Sequence, residues 1–200
     1  MMAVDWGAAV IGLVGPMPSG PGVIDSHLAR QIAQTVPTPI DTYLLTSSTS
    51  AADIVAHYRE VKTTAIQIVD ELQQDVYSLL REKLPFVKLV QVIHVRSNES
   101  IEKAVAIAPH VDAILLDSGN PSLPTKELGG TGRIHNWAIS SKIREQVQKP
   151  VWLAGGLTVD NVQEAIAMVQ PYGVDVCSGV RTQGRLDAQK LKDFIAAAIQ

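Results

Sequence analysis

The chain has 200 residues, 46% of them apolar and 18% charged, which excludes a disordered segment and supplies a core for one domain over residues 1–200. A formal charge of −3 and a pI near 5.9 exclude the basic face of a nucleic-acid binder, and the longest apolar stretch, Ala8–Leu13 with Val14 beyond it, is far too short for a membrane helix. Cys177 is the sole cysteine, which rules out an intramolecular disulfide or a cysteine-rich zinc module, and Met1 opens no basic-then-apolar leader, so a cytoplasmic protein is expected.

Taken in order, the first element is an apolar run at Val10–Val14, followed by a helical segment Ser26–Thr35 behind two candidate caps, Asp25 and Ser26. A run at Asp41–Leu45 precedes the helix Ala51–Val61, with Thr49 and Ser50 before it. The run Ala65–Val69 leads through Asp70 to the helix Leu72–Lys83. Val87–Val95 is followed by Ser100 and the helix Ile101–Ala108, then Asp112–Leu116 by Asn136 and the helix Trp137–Val147. Val151–Ala154 leads through Thr158 to the helix Val159–Val169. The last run, Val174–Cys177, precedes Asp187–Ile199, whose Leu191, Phe194, Ile195 and Ile199 fall at helical spacing. Consecutive apolar positions are the pattern of strands buried on both faces of a parallel sheet, and Ser, Thr, Asp and Asn recur where helix N-termini need acceptors.

Seven strand–helix units in unbroken alternation imply parallel strands with right-handed crossovers. An open doubly wound sheet and a (β/α)8 TIM-type barrel both fit this α/β pattern. No Gly-x-Gly-x-x-Gly follows the first strand, and units of about 20–30 residues suit a lean barrel. Since a barrel takes eight strands and Met1–Ala8 reads as the tail of a helix entering a strand, the expected fold is a barrel lacking its first strand and most of its first helix.

In such folds ligands meet the C-terminal ends of the strands. Asp117 stands there directly after a buried run, a place where a carboxylate has either a partner or a task, capping a loop or pairing with a surface lysine being the plain alternatives. Gly155-Gly156 and Ser178-Gly179 end the last two strands. Glycines let backbone approach an anion, and free N–H groups at a helix start bind phosphate. Gly155-Gly156 alone could be no more than a tight turn, but with Ser178-Gly179 in the next unit a phosphate site is the preferred reading. Gly130, within Gly129-Gly130-Thr131-Gly132, belongs to a loop over the same mouth and is counted with the substrate-binding residues. His27, His57, His94, His110 and His135 show no metal-ligand spacing, so no metal site is expected. His94 ends a strand and either faces the mouth or packs. Cys177 reads first as a small buried thiol, and Trp137 and Trp152 as packing residues.

At these residues the chain resembles the phosphoribosylanthranilate isomerase family of tryptophan biosynthesis. The likeness is carried by Asp112–Ser118, by Gly129–Gly132 with Trp137, by Leu153–Leu157 with Asn161-Val162, and by Gly173–Val176 with Ser178–Val180, in order and at family-like spacing. It implies an Amadori rearrangement of N-(5-phosphoribosyl)anthranilate with no metal or organic cofactor. A general acid protonates the furanose oxygen and a general base takes the proton at C2. Asp117 stands at the acid position, and Gly155, Gly156, Ser178 and Gly179 match the phosphate-contacting loops.

The departures are specific. The family's base is a cysteine in a first-strand Lys-Ile-Cys-Gly motif that this chain lacks. Gln67-Ile68-Val69-Asp70 replaces Gln-Leu-His-Gly, and Pro18-Ser19-Gly20-Pro21-Gly22 replaces the Ser-Pro-Arg segment whose arginine meets the anthranilate carboxylate. Asn136 stands for the Asp before Trp, and Arg181 for the Glu after Ser-Gly-Val. Three readings follow: an isomerase whose sequence here is missing its start, so that the base would be restored with it, or one of reduced efficiency with Cys177 as a candidate substitute base; a divergent barrel that binds a phosphorylated sugar without isomerising it; and a scaffold barrel whose exposed edges a second copy covers as a homodimer. A small phosphorylated substrate is the expected partner.

Overall fold

Short runs of Val, Ile and Leu carry apolar side chains on both faces, so they are buried only in a sheet covered on both sides. In the computed structural model, which describes residues 2–128 and 132–199, seven such runs pair in parallel and in strict chain order: β1 (Val10–Val14), β2 (Asp41–Thr46), β3 (Ala65–Ile68), β4 (Lys88–His94), β5 (Ala113–Asp117), β6 (Val151–Leu153) and β7 (Gly173–Val174). Strand order without reversal excludes the doubly wound alternative. The sheet curls around a lumen, with β1 and β7 as its edges, and helices cover its outer face: α1 (Met2–Asp5), α2 (Ser26–Thr35), α3 (Ala51–Val61), α4 (Gln74–Lys83), α5 (Glu99–Ile107), α6 (Trp137–Gln146), α7 (Val162–Val169) and α8 (Ala188–Ala198). A hairpin of β8 (Arg181–Thr182) and β9 (Arg185–Leu186), which the apolar pattern does not announce, precedes α8.

Side-chain caps fix where α2, α6 and α8 begin. Asp25 accepts the Leu28 N–H at 2.8 Å, Asn136 that of Ala138 at 3.0 Å, and Asp187 those of Gln189 and Lys190 at 3.0 and 3.1 Å. Three starts differ from expectation. Asp70 does not cap α4, because its buried carboxylate is taken by Lys126 at 2.5 Å, and the helix opens at Gln74. Ser100 lies inside α5, where its hydroxyl accepts the Arg96 N–H at 3.1 Å. Thr158 gives its N–H to Asn161 Oδ1 at 2.8 Å while Asn161 Nδ2 donates to the Gly156 carbonyl at 3.0 Å, so a turn occupies residues 158–161 and α7 begins at Val162. The last strand is also shorter than the run Val174–Cys177: after Asp175 N–H bonds Leu153 O at 2.8 Å, the chain leaves the sheet and forms a 3₁₀ turn at Ser178–Val180.

Alternation along the strands sorts the core into two layers. Ile66, Ile68, Leu89, Ile93, Ile114, Leu116, Val151 and Leu153 join the layer that includes helix residues such as Ile54, Leu80, Ile143, Val162 and Phe194. Tyr43, Ala65, Val69, Val90, Val92, Ala113, Leu115 and Ala154 fill the inner side. A polar residue sits within the outer layer: fully buried Gln91 accepts the Tyr77 hydroxyl at 2.6 Å and donates to the carbonyls of Ile68, Asp70 and Val92. Every hydrogen-bonding group of that amide has a use, which makes its burial tolerable.

Candidate active site

The same alternation decides which chemistry reaches the lumen. On β5, Ala113 and Leu115 face inward, and Asp117 follows them at the strand end. On β4, Val90 and Val92 face inward and His94 follows, in register with Asp117. Asp117 is 8% exposed; its Oδ1 accepts the Ser118 N–H at 2.6 Å and the Ser118 hydroxyl at 3.4 Å. Burial pushes this carboxyl above its ordinary range, and the Ser118 N–H, His94 and the Ser118 hydroxyl oppose that rise in decreasing measure. His94 Nε2 meets the Val69 carbonyl at 2.9 Å; a carbonyl can only accept, so Nε2 carries the hydrogen, and buried Nδ1 has no partner.

A second carboxylate faces the same place. Asp175 leaves β7 one residue beyond Val174 and, with Asp117, lines both cavities of the mouth. The residue is exposed to the lumen, with the rest of the barrel packed around it. Loss of bulk hydration first, and the Asp117 charge second, push it up to about 6, against a smaller pull from the Val176 N–H. The site thus contains two neighbouring acids, both of which hold their protons more tightly than free carboxylates do.

The smaller cavity is lined by Gly132, Gly155, Gly156, Leu157 and Ser178 beside the two acids. Gly155 and Gly156 have φ of +83° and +69°, a region L side chains avoid. A Cβ on Gly156 would lie 2.5–2.7 Å from the Arg133–Ile134 backbone, and one on Gly155 about 3 Å from Ser118 N and Asp117 Oδ1. Both glycines are therefore required by the close approach of the β5–α6 loop. The structure brings Asp117, Gly155, Gly156 and Ser178 into one concavity; Gly179 sits behind Ser178 against the Leu157 carbonyl. Gly130 lies outside the described residues. The helix start expected beside Gly155-Gly156 is set back by the turn at residues 158–161, which leaves backbone loops rather than a helix end closest to the cavity.

The larger cavity, about 690 Å³, opens along the lumen between β1 and β7. It is mostly apolar, with Tyr43, Trp152 and Tyr172 as its aromatic wall; the Trp152 ring meets Tyr43 and Tyr172 edge-on at 6.5 and 5.4 Å. Trp137 packs between helix and sheet as expected, but Trp152 faces this lumen. Asp117, Asp175, Val176 and Cys177 line both cavities and mark their junction. Over the rim, the Ser19 hydroxyl donates to the Lys126 carbonyl at 2.6 Å and Arg96 to the Ser122 hydroxyl at 2.6 Å. Among the described residues no cluster of three or more His, Cys, Asp or Glu could hold a metal ion, and no helix is long and apolar enough to cross a membrane.

Sequence reasoning picked out Asp117 and the glycine loops but assigned nothing to Asp175 or Arg181. Counting by twos from Gly173 puts residues 175 and 177 on the lumen side, a signal that was present in the sequence. Nothing local to Arg181 announces that it reaches the segment around Gly22.

The comparisons with known proteins agree with this geometry. The family described as N-(5'phosphoribosyl)anthranilate (PRA) isomerase matches residues 22–197. The N-(5'-phosphoribosyl)anthranilate isomerase 2 of Methanosarcina mazei is 37% identical, over 99% of this chain and 88% of its own length. The Haloferax volcanii N-(5'-phosphoribosyl)anthranilate isomerase is 36% identical over 99% and 87%. Among solved structures, phosphoribosyl anthranilate isomerase from Thermotoga maritima superposes with a TM-score of 0.84 at 26% identity, covering 99% of this chain and 91% of that one. A seven-stranded parallel sheet curled around a mouth of paired acids and glycine loops, and similarity over nearly the whole chain, lead to one assignment: the chain belongs to the N-(5'-phosphoribosyl)anthranilate isomerase family.

Proposed function

We propose that the chain catalyses the Amadori rearrangement of N-(5-phosphoribosyl)anthranilate to 1-(2-carboxyphenylamino)-1-deoxyribulose 5-phosphate, with Asp117 as general acid and Asp175 as general base. The observation that carries this reading is the junction: two raised carboxylates sit where a polar glycine-lined cavity meets an apolar aromatic one. The phosphate lies against the backbone of Gly155 and Gly156 and the Ser178 hydroxyl. The aryl group lies in the lumen beside Trp152, and the ribose spans the junction.

In the substrate complex, where the ligand's own negative charge adds to the burial that already raises it, Asp117 carries a proton and gives it to the furanose oxygen, so the ring C–O bond breaks and a C1=N iminium forms. Asp175, pushed up only to about 6, is ionised at neutral pH and takes the proton from C2, yielding an enolamine that tautomerises to the ketose. Asp175 thus takes the base's part at this junction, and Cys177, which lines the same place, needs to carry no proton.

Turnover of freshly generated phosphoribosylanthranilate, followed through the anthranilate fluorescence, tests the reading. Activity in the wild type that falls about 10²–10⁴-fold in Asp117→Asn is the expected result. A folded protein with no turnover would refute it and leave the other reading, a barrel that binds a phosphorylated sugar without isomerising it, to which the altered Gly20–Gly22 segment and Val69 already lend weight.

A further inference from the structure

Arg181 begins the β8–β9 hairpin, immediately after the Ser178–Val180 turn. Its side chain runs away from the glycine cradle, lining the larger cavity and not the smaller. Among the described residues it is the one cationic side chain in that apolar wall, and no carboxylate pairs with it. Nη1 donates to the Gly184 carbonyl at 2.9 Å, whereas Nε is buried without any acceptor. The guanidinium rests against the β1–α2 loop, where a Cβ on Gly22 would lie 3.6 Å from Nη2. Gly20 and Gly22 put no side chain between that edge and the lumen.

A buried guanidinium N–H without a partner is costly, because its lost hydration is not replaced. The cost disappears if a ligand supplies the acceptor. The planar fork of arginine matches a carboxylate, which takes two parallel N–H bonds. The phosphate already has its own place in the other cavity, and both acids are at the junction, so the acceptor missing at Arg181 belongs to a second anionic group at the aryl end of the ligand.

We propose that Arg181 binds the carboxylate of an aryl carboxylate seated in the lumen, and so makes this chain selective for a substrate with two anionic ends, phosphate and carboxylate, on opposite sides of the acid pair. The proposal rests on the functional reading above for the position of the aryl group. Arg181 touches the ligand's carboxylate and takes no part in the proton transfers.

The test compares wild type with Arg181→Gln in binding titrations with anthranilate, with its neutral isostere 2-aminobenzamide, and with inorganic phosphate. Losing a hydrogen bond to a charged group predicts that anthranilate binds the variant at least about tenfold more weakly. Inorganic phosphate should bind both proteins equally, and 2-aminobenzamide should not distinguish them. A purely structural role, through the Gly184 contact, would weaken phosphate and anthranilate together and would overturn the proposal. So would equal anthranilate binding by both proteins, or no saturable anthranilate binding by wild type. If Arg181→Gln fails to fold, Arg181→Lys keeps the charge but loses the fork, and the same selective loss for anthranilate is expected of it. Anthranilate binding that depends on Arg181 in a protein without isomerase turnover would leave this proposal standing and remove the isomerase reading. Turnover with a KM indifferent to Arg181→Gln would do the reverse.

Discussion

Replacing Asp175 by Asn separates the base from the acid, and the geometry sets the size of the effect. With the Asp175 carboxyl pushed up to about 6, about 90% of it is ionised at pH 7 and about 10% at pH 5, so kcat/KM in the wild type should fall about tenfold across that interval. Asp175→Asn should lower kcat by about 10²–10⁴-fold, or about 3–5 kcal/mol of barrier, and abolish the limb near pH 6. The amide keeps the shape of the side chain, and the backbone bond from Asp175 N–H to Leu153 O is untouched. Stability should move in the opposite sense. A carboxyl whose folded pKa is raised contributes stability that is complete below its unfolded value of 3.8 and is lost as pH rises through about 6. Asp175→Asn should therefore melt higher than wild type above pH 6 and equally near pH 4, by an amount that water in the lumen keeps modest. In Asp117→Asn, removal of the Asp117 charge should lower the Asp175 pKa, read as the titration of its side-chain carboxyl carbon by NMR. Initial rates against pH for wild type, Asp175→Asn and Cys177→Ser form the assay. A limb near pH 6 that survives in Asp175→Asn, or activity lost in Cys177→Ser instead, would refute the assignment.

Two further substitutions probe the cradle and the frame. Gly156→Ala places a Cβ 2.5–2.7 Å from the Arg133–Ile134 backbone at a φ of +69°, so the β5–α6 loop must withdraw; inorganic phosphate should bind at least about tenfold more weakly by titration calorimetry, the loss of one charge-assisted contact. Tyr77→Phe leaves Gln91 Oε1 without its donor in a fully buried site; stability in urea should fall by about 1–3 kcal/mol while kcat/KM stays at the wild-type value.

How much of this was legible in the sequence depends on the distance over which each feature is determined. The strands were legible because seven consecutive apolar runs need only their own side chains to declare two buried faces, and β1, α2 and α3 have the expected bounds. Asp25 and Asn136 cap helices because their acceptors lie two or three residues from the donors. Asp70 was misread as a cap because its partner, Lys126, is a loop away across the mouth. The early end of β7 also depends on tertiary context: the chain turns at Ser178 to bring its hydroxyl to the cavity, and a run of apolar residues cannot report that turn.

The site divides along the same line. Its acid and its phosphate loops are each built within one strand end, so Asp117 and Gly155-Gly156 carry their chemistry in consecutive residues. The features that local patterns do not announce are built from distant pairs: Asp175 acquires its raised pKa partly from Asp117 on β5, and Arg181 finds its open side only because Gly22, near the other end of the chain, packs against it. Loss of an arginine from one loop is therefore not equivalent to loss of the function. A barrel mouth gathers side chains from every strand end, so a residue lost from one strand can be replaced from another that faces the same few ångströms. If Asp175 moves the proton and Arg181 holds the carboxylate, Asp175→Asn should lower kcat with little change in KM, whereas Arg181→Gln should raise KM with little change in kcat. The same response of both parameters to both variants would mean that the two residues shape the mouth without dividing its work.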